Sequence, residues 1–375
     1  MKYFIIAGEA SGDLHASNLM RELKRRDNGA DFAFLGGDLM AKEGGRQIIH
    51  YRDMAFMGFI NVLLNLKTIR RNMSECQKAI CQFCPDVVIL VDYPSFNLQV
   101  AKFVKRQLTI PVFYYISPKI WAWKTFRIKA IKRYIDAMFT ILPFETDFYA
   151  HYHYPVTYVG NPTKESVTEF LPTKTKLSDF IANNALDDKP IVALLAGSRR
   201  QEIRGCLPKM MEVSRYFPDL QFVVAGAPGI EEDFYHQLLP NGQSKIVFGD
   251  TYNLVANSCA AIVNSGTATL ETAMLKTPQV VVYQVFGGII TSLLKKMIIK
   301  TDYISLVNLI AEKEVVQELV AHKFTVRNMT NELSNILQNP AYCQKMLEAY
   351  DEIDHRLLPL KAAENAAAEI INRLS

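Results

Sequence analysis

The sequence predicts an α/β protein with two doubly wound parallel sheets. Two observations support this class: short apolar runs recur along the chain, each followed by a loop and a helical pattern, and this rhythm weakens once near the middle before it restarts. With 375 residues, of which 49% are hydrophobic and 21% charged, the chain is long enough to bury a separate core in each half.

The first half contains five predicted strands, at residues 3–7, 32–35, 87–91, 112–116 and 137–142. Between residues 160 and 189 the apolar rhythm gives way to turn-forming residues and several prolines, so we expect a domain boundary there. Five more strands are predicted at residues 191–195, 221–225, 245–248, 260–263 and 279–283. The Ala-rich segment 362–371 predicts a final helix whose apolar stripe packs on the first half.

The expected domains are therefore a Rossmann-like domain at residues 1–163, a second one at 164–351, and a returning C-terminal helix within 352–375. Ligands of such sheets bind outside the carboxyl ends of the strands. We expect the active site in the cleft between the two halves.

Composition limits the function classes. The chain has 42 basic and 38 acidic residues, and a net charge of +4 is too small to argue for a nucleic-acid partner. The opening strand leads straight into a loop without a signal-peptide pattern, and the six cysteines lack the spacing of a zinc site. We therefore expect reduced thiols in the cytosol.

The segment Ser265-Gly266-Thr267-Ala268-Thr269-Leu270-Glu271 follows a predicted buried strand and opens a helix. Free peptide N–H groups and the positive end of the helix dipole would then lie at the mouth of the sheet, where a diphosphate can bind. Glu271 shares a helix face with Thr267 and can accept hydrogen bonds from a sugar or ribose hydroxyl. The pattern predicts a nucleotide-sugar pocket, and the alternative is an ordinary N-capped helix.

The loop after the first strand, Gly8-Glu9-Ala10-Ser11-Gly12-Asp13, combines small and polar residues. Gly8 and Gly12 let the backbone approach a ligand, while Glu9, Ser11 and Asp13 supply polar groups. The loop lacks the third glycine of a dinucleotide site and the lysine of a P-loop. It fits an acceptor or sugar loop better, with a plain glycine turn as the alternative.

Asp92 directly follows the strand at residues 87–91. A carboxylate at the carboxyl end of a strand, beside a cleft, can take a proton from an attacking hydroxyl if burial raises its pKa. Asp92 is therefore the best candidate for a general base. A turn or N-cap aspartate before Pro94 is the alternative interpretation.

Two further loops follow predicted strands. In the second half, Ser198, Arg199 and Glu202 lie where a strand leads through a loop into a helix, and Arg199 can donate to a phosphate as leaving-group charge develops. In the first half, Trp121 and Trp123 suit a sugar, a phosphate or a lipid headgroup, or else serve as packing residues. A basic cluster follows the tryptophans: Lys124, Arg127, Lys129, Lys132 and Arg133.

Residues 54–66 are almost free of charge and dense in large apolar side chains, and Lys67, Arg70 and Arg71 follow. Such a segment can dip into a membrane surface while the cations meet anionic headgroups, or it can form a buried helix. The candidate membrane contacts are Met57, Phe59, Ile60, Leu63 and Leu64.

Seven motifs, in order over essentially the whole chain, closely resemble the lipid-A-disaccharide synthase family. They are Gly8-Glu9-Ala10-Ser11-Gly12-Asp13, Met57-Gly58-Phe59, Asp92-Tyr93-Pro94-Ser95-Phe96-Asn97, Ser117-Pro118-Lys119-Ile120-Trp121-Ala122-Trp123, Gly197-Ser198-Arg199, Ser265-Gly266-Thr267 and Tyr303-Ile304-Ser305-Leu306-Val307-Asn308-Leu309. The chain departs from the family pattern at five positions: Asn61, Ser95, Asn161, Ala196 and Ala321.

The resemblance implies a GT-B glycosyltransferase of Gram-negative bacteria, peripheral on the inner face of the inner membrane. It implies that UDP-2,3-diacylglucosamine is joined to 2,3-diacylglucosamine 1-phosphate through a β-1,6 linkage, with release of UDP. The reaction would invert the configuration at the anomeric carbon and use no metal or other cofactor. By position, Asp92 resembles the base, with Glu9 as a second catalytic candidate. Arg199 and Asn308 resemble donor-site residues, and residues 265–271 resemble the UDP cradle.

Two alternatives use the same framework. One is a UDP-N-acetylglucosamine 2-epimerase or another sugar transferase with soluble substrates, which would have no use for the apolar segment at residues 54–66. The other is a non-catalytic lipid or nucleotide carrier, which would bind UDP without releasing it from a donor.

Overall fold

The chain divides into two compact units, the first comprising Met1–Pro162 and Pro359–Ser375 and the second Thr163–Leu358. The computed structural model describes residues 1–54, 66–122, 124–239, 245–284 and 302–375. Each unit contains one parallel sheet, which confirms the predicted fold class. The candidate membrane contacts Met57, Phe59, Ile60, Leu63 and Leu64 lie outside the described residues, as does Trp123.

The first unit alternates strands and helices. Its elements are β1 (Lys2–Ala7), α1 (Ala10–Arg26), β2 (Asp31–Gly36), α2 (Asp38–Lys42), β3 (Arg46–His50), α3 (Leu66–Phe83), β4 (Val87–Val91), α4 (Pro94–Gln107), β5 (Val112–Tyr115), α5 (Ile128–Tyr134), β6 (Ala137–Thr140), α6 (Glu145–His151) and β7 (Thr157–Tyr158). The sheet order is β3-β2-β1-β4-β5-β6-β7, and every pairing is parallel.

Strand β1 is buried on both faces, which explains its unbroken apolar sequence. Phe4 and Ile6 belong to the core on one face of the sheet, and Tyr3, Ile5 and Ala7 to the core on the other. The chain order reverses between β1 and β4, where Ala7 pairs with Val91. The loops after these two strands therefore leave the same edge side by side, at the switch point where ligands of such sheets bind.

Helix α7 (Pro162–Phe170) begins at the boundary between the units. The other elements of the second unit are α8 (Leu177–Asn183), β8 (Ile191–Leu195), α9 (Arg200–Glu212), β9 (Gln221–Gly226), α10 (Glu232–Leu238), β10 (Lys245–Phe248), α11 (Thr251–Ala256), β11 (Ala260–Asn264), α12 (Thr267–Met274), β12 (Gln279–Tyr283), α13 (Leu306–Ala311), β13 (Glu318–Val320), α14 (Val326–Gln338) and α15 (Pro340–Arg356).

The second sheet has the same strand order as the first six strands of the first sheet. Its order is β10-β9-β8-β11-β12-β13, again with parallel pairings only. Leu195 at the end of β8 pairs with Val263 in β11. The loop at residues 196–199 and the turn at residues 265–266 therefore leave this sheet at its own switch point.

The final helix, α16 (Ala362–Leu374), belongs to the first unit. It buries Ala366, Ala367 and Ile370, and Asn365 Nδ2 donates to the Val159 carbonyl oxygen over 2.9 Å. The sequence interpretation grouped residues 352–358 with this helix, whereas α15 continues to Arg356 and keeps these residues in the second unit.

The ten predicted strands are all present, with ends that differ from the prediction by at most two residues. Strands β3, β7 and β13 were not predicted, because β3 is partly exposed and mixes polar with apolar residues, and the other two are only two and three residues long. In the part of the chain that the structure describes, we find no helix with the length and hydropathy of a membrane span.

Candidate functional site

Asp92 lies on an unusual backbone turn at the switch point of the first unit. Asp92 (φ 43°) and Tyr93 (φ 46°) are consecutive left-handed residues, although neither is glycine. Such a conformation costs of order 1–3 kcal/mol per residue and persists only where neighbours enforce it. Here the Tyr114 hydroxyl donates to the Asp92 carbonyl oxygen, and Asn97 Nδ2 donates to the same oxygen over 2.7 Å.

Burial raises the pKa of the Asp92 carboxyl above its usual value. The positive charge of Lys119 and the Tyr93 peptide N–H oppose this effect without overcoming it. A carboxylate with a raised pKa accepts a proton more readily, which suits the role of a general base.

The close approach of Gly8 to Tyr93 explains why a glycine follows β1. A Cβ atom at residue 8 would lie 2.2 Å from the Tyr93 ring, so no other residue fits without moving that ring. The Tyr93 hydroxyl donates to the Met54 carbonyl oxygen over 2.7 Å, which fixes the ring from its other end. Gly8 thus supports the Asp92 turn.

Glu9 and Ser11 remain at the edge of the sheet as candidate ligand contacts. Glu9 is the extended N-cap residue of α1, no side chain caps this helix, and Ser11 is exposed in the first turn. Gly12 packs closely against Ala7, and a Cβ atom at residue 12 would lie 3.3 Å from the Ala7 Cβ atom. Asp13 is buried and accepts hydrogen bonds from peptide N–H groups of residues 37, 39 and 40, so its carboxylate holds the start of α2.

In the second unit, the N-terminus of α12 is open. The N-cap residue Gly266 is extended, no side chain caps the helix, and Gly266 and Thr267 are exposed. A Cβ atom at Gly266 would meet only the Asn264 carbonyl oxygen, at 4.0 Å. Peptide N–H groups at such a terminus are available to an anion.

A network centred on Glu318 supports this terminus. Glu318 Oε1 accepts hydrogen bonds from the Ser305 peptide N–H over 2.8 Å and from the Ser305 hydroxyl over 2.7 Å, and Oε2 accepts from the Ile304 N–H over 2.9 Å. The Ser265 hydroxyl in turn donates to the Ile304 carbonyl oxygen over 3.3 Å. Glu318 therefore positions the turn that precedes α12.

Asn308 is fully buried inside the same network. Its Nδ2 donates to the Val316 carbonyl oxygen and to Glu318 Oε1, and its Oδ1 accepts from the peptide N–H groups of Val315 and Val316. The amide has no remaining hydrogen-bonding capacity. A direct contact between Asn308 and a ligand would require one of these four bonds to break, so the structure assigns Asn308 a positioning contribution.

Glu271 lies one helical turn beyond Thr267, as the sequence predicts. Its Oε1 accepts a hydrogen bond from the Tyr252 hydroxyl over 3.1 Å, and Oε2 has no hydrogen-bond partner among the described residues. Burial raises the pKa of this carboxyl. One oxygen is thus available to a ligand hydroxyl.

Glu202 organises the loop that carries Ser198 and Arg199. Gly197 has a φ of 119°, and a Cβ atom there would lie 2.7 Å from Glu202 Oε2. That oxygen accepts the Ser198 peptide N–H over 3.2 Å, and Oε1 lies 3.4 Å from Arg199 Nη1. The Arg199 side chain is 58% exposed, and an exposed ion pair of this length contributes little stability, so the guanidinium is available to an anion.

The tryptophan segment is anchored by Glu145, which the sequence interpretation did not identify. The Ser117 hydroxyl and Trp121 Nε1 both donate to Glu145 Oε1, and Trp121 also packs edge-on against Phe144. Trp121 is 8% exposed and therefore acts as a packing residue. Burial raises the pKa of the Glu145 carboxyl to about 7.

Within the described ranges, no group of three or more His, Cys, Asp or Glu side chains is arranged to hold a metal ion. The sequence interpretation also gave no positioning role to Tyr114, Asn97 or Glu318. Their signal was weak, because each is a single polar residue whose partner depends on the tertiary fold.

A family model described as lipid-A-disaccharide synthetase matches residues 3–371. A lipid-A-disaccharide synthase from Myxococcus xanthus (strain DK1622) is 37% identical over 380 residues, covering 100% of this chain and 97% of that protein. One from Syntrophus aciditrophicus (strain SB) is 36% identical over 370 residues, covering 97% of this chain and 95% of that protein.

Solved structures share the fold at low identity. A UDP-GlcNAc 2-epimerase from Neisseria meningitidis bound to UDP-GlcNAc has a TM-score of 0.68 at 14% identity, covering 100% of this chain and 99% of that one. The glycotransferase of kitacinnamycin has a TM-score of 0.63 at 11% identity, with coverage of 100% and 99%. These similarities show the fold, which is that of GT-B glycosyltransferases.

Proposed function

The chain belongs to the lipid-A-disaccharide synthase family, and from this membership we propose its substrates, the roles of its residues and the place where it works. Members of this family form the disaccharide of lipid A, so the chain is a glycosyltransferase. In our proposal, the donor is UDP-2,3-diacylglucosamine and the acceptor is 2,3-diacylglucosamine 1-phosphate. The products are the β-1,6-linked disaccharide 1-phosphate and UDP.

The donor binds to the second unit. The open N-terminus of α12 carries this part of the proposal, because exposed peptide N–H groups at residues 266–267 suit the diphosphate. The free oxygen of Glu271 accepts a hydrogen bond from the ribose. Arg199 and Ser198 contribute donors to the phosphates, and Glu202 holds both in their loop.

The acceptor reacts beside Asp92 in the first unit. Its 6-hydroxyl oxygen forms a bond to the anomeric carbon of the donor while the bond from that carbon to the UDP oxygen breaks, and the hydroxyl proton passes to the Asp92 carboxylate. Attack from the face opposite UDP inverts the anomeric configuration. Glu9, Ser11, Gly8 and Gly12 line the acceptor side, with Glu9 as a second carboxylate that orients acceptor hydroxyls.

The negative charge that develops on UDP is neutralised by the N-terminus of α12 and by Arg199. The protein works at the inner face of the inner membrane, because both proposed substrates carry acyl chains that reside in a bilayer. The apolar residues Met57, Phe59, Ile60, Leu63 and Leu64 are the proposed contacts with that surface.

The test is to incubate the purified chain with both acylated sugars in excess EDTA and to analyse the lipids by mass spectrometry. We expect the disaccharide 1-phosphate, with the β configuration at the new linkage by NMR. Absence of disaccharide, with or without added Mg²⁺, would refute the assigned substrates. A parallel incubation with UDP-N-acetylglucosamine should give no epimer, which separates the proposal from a soluble epimerase.

A further inference from the structure

Arg127 is a partly buried cation without a carboxylate partner. Its Nη2 donates to the Ser95 hydroxyl oxygen over 2.8 Å, and no ion pair involves Arg127 in the described ranges. Burial lowers the pKa of its guanidinium, and Tyr114 partly opposes that effect. Removing a cation from water without an anion is unfavourable, so the arrangement favours binding of an anion, which the described residues do not supply.

Lys124 adds a second positive charge to the same turn. It has left-handed backbone angles (φ 59°, ψ 37°), and its carbonyl oxygen accepts the Arg127 peptide N–H over 2.9 Å. Burial, and after it the charge of Arg127, lower the pKa of Lys124. The fold therefore holds two cations close together on a strained turn, and a bound anion would relieve their repulsion.

The cation pair borders the Asp92 turn. Ser95, which accepts from Arg127, lies in the first turn of α4, three residues after Asp92. Tyr114 connects the two features directly, because its hydroxyl donates to the Asp92 carbonyl oxygen and its ring hydroxyl interacts electrostatically with Arg127. An anion held by Arg127 would thus be part of the molecule that presents its hydroxyl to Asp92.

We propose that Arg127 and Lys124 form a subsite for a phosphate monoester, which is the phosphate of the acceptor sugar. The inference rests on the proposed function and deepens its acceptor side. A phosphate monoester carries a charge of about −1.5 to −2 at neutral pH, which matches two cations. Arg127 Nε and Nη1 make no hydrogen bond to the described residues, so N–H groups on both of these nitrogens can donate to an incoming phosphate.

The other cations of the basic cluster differ from this pair. Lys132 donates to the Tyr152 carbonyl oxygen, and Arg133 lies over the Tyr134 ring. Lys129 is exposed and has no ion pair or hydrogen bond within the described part of the chain. Lys129 is therefore the matched control, since it carries the same charge only two residues after Arg127.

The experiment compares two acceptors, 2,3-diacylglucosamine 1-phosphate and the same sugar without phosphate, in wild type, Arg127→Gln and Lys129→Gln. For Arg127→Gln we expect kcat/KM with the phosphorylated acceptor to fall about 10- to 100-fold, as for loss of a charge-assisted hydrogen-bond pair, mainly through KM. With the acceptor that lacks phosphate, Arg127→Gln should match wild type. Lys129→Gln should match wild type with both acceptors.

Three results would overturn the subsite. An equal fall with both acceptors would show that Arg127 only supports the Asp92 turn, and no fall would show that the phosphate binds elsewhere. An unchanged acceptor preference, together with weaker binding of both variants to phosphatidylglycerol vesicles, would assign the cations to the membrane surface.

A second measurement is independent of catalysis and of the variant's folding. Glucosamine 1-phosphate, a soluble monoester, should bind wild type in calorimetry at least about tenfold more tightly than glucosamine. Equal affinity would refute the subsite even in an active enzyme. Conversely, selective binding of the monoester by a chain that forms no disaccharide would refute the proposed reaction and leave the subsite standing.

Discussion

Asp92 combines two features that arise from its neighbours. Its backbone is held left-handed by Tyr114 and Asn97, and its carboxyl is partly buried beside an exposed cation, Lys119. Neither feature stabilises the fold, because both the strained backbone and the desolvated carboxyl carry an energetic cost. Such a combination is typical of a residue that is retained for chemistry.

We predict that Asp92→Asn lowers kcat at least about 100-fold, because the amide cannot accept the proton. The midpoint of thermal unfolding should stay close to that of wild type, since the replacement has the same shape. The exposed residue Asp147 provides the control, and Asp147→Asn should change neither quantity. Near-normal kcat in the Asp92→Asn variant would show that Asp92 is not the general base.

In the second unit, the key candidate residue is Gly266, the N-cap residue of α12. Its φ of 170° is open to any residue, and a Cβ atom there would touch nothing closer than 4.0 Å. The folded chain therefore does not need glycine at this position, whereas the proposed diphosphate would need the space that a side chain would fill.

We predict that Gly266→Ala leaves the thermal midpoint unchanged and raises the KM for the UDP donor about tenfold or more, because the methyl group occupies the space of the diphosphate. Gly29→Ala, at a loop glycine where the new Cβ would be in ordinary contact with Asp27, should alter neither value. An unchanged donor KM in Gly266→Ala would contradict the cradle at α12.

At the scale of elements, β13 and α13 act as a clamp for α12. Glu318 in β13 binds the residues just before α13, and these residues bind Ser265 just before α12. The carboxylate accepts hydrogen bonds at both oxygens, so a neutral amide would place an NH2 group against a donor in either orientation.

We predict that Glu318→Gln lowers the free energy of unfolding by about 1–3 kcal/mol and weakens UDP binding as well. Glu314→Gln, at an exposed residue nearby, should leave both unchanged. Chemical denaturation and titration calorimetry measure the two effects. If stability falls while the affinity for UDP stays the same, the clamp does not shape the donor site.

The sequence was most informative about elements that are buried on both sides. The strands at 87–91 and 191–195 are present with the predicted ends, because a continuous apolar run has one simple interpretation in a parallel sheet. The loops after such strands were therefore also correctly located. The side chains that hold the candidate site residues in place were not predicted, because Tyr114 lies 22 positions from Asp92 and Glu318 lies 13 positions from Ser305.

At the scale of the whole molecule, both units place their candidate site at the switch point of a parallel sheet. The loops at Gly8 and Asp92 leave neighbouring strands in one unit, and those at Gly197 and Ser265 do so in the other. In the proposed function, the acceptor residues belong to the first unit and the donor residues to the second.

The stability of the first unit should depend on pH through Glu145. Burial raises its pKa from 4.5 to about 7, so the folded state binds more protons than the unfolded state between these values. The free energy of unfolding consequently falls as pH rises from about 4.5 to about 7 and is then constant, with a total change of roughly 3 kcal/mol from this group.

Glu145→Gln, which does not titrate, should lose this dependence. Urea unfolding followed by tryptophan fluorescence, to which Trp121 and Trp123 contribute, measures it at pH 5 and pH 8. We expect the unfolding free energy of wild type, relative to that of Glu145→Gln, to be higher at pH 5 than at pH 8. An equal difference at both pH values would show that Glu145 titrates normally.

We propose that peptide N–H groups at the start of α12, together with Arg199, hold the diphosphate of the donor. A crystal structure of the chain with UDP, grown in EDTA, tests it most directly. We predict that the diphosphate lies against residues 266–268, with a ribose hydroxyl donating to Glu271. Binding of UDP at any other site, or loss of UDP binding in EDTA, would contradict the claim.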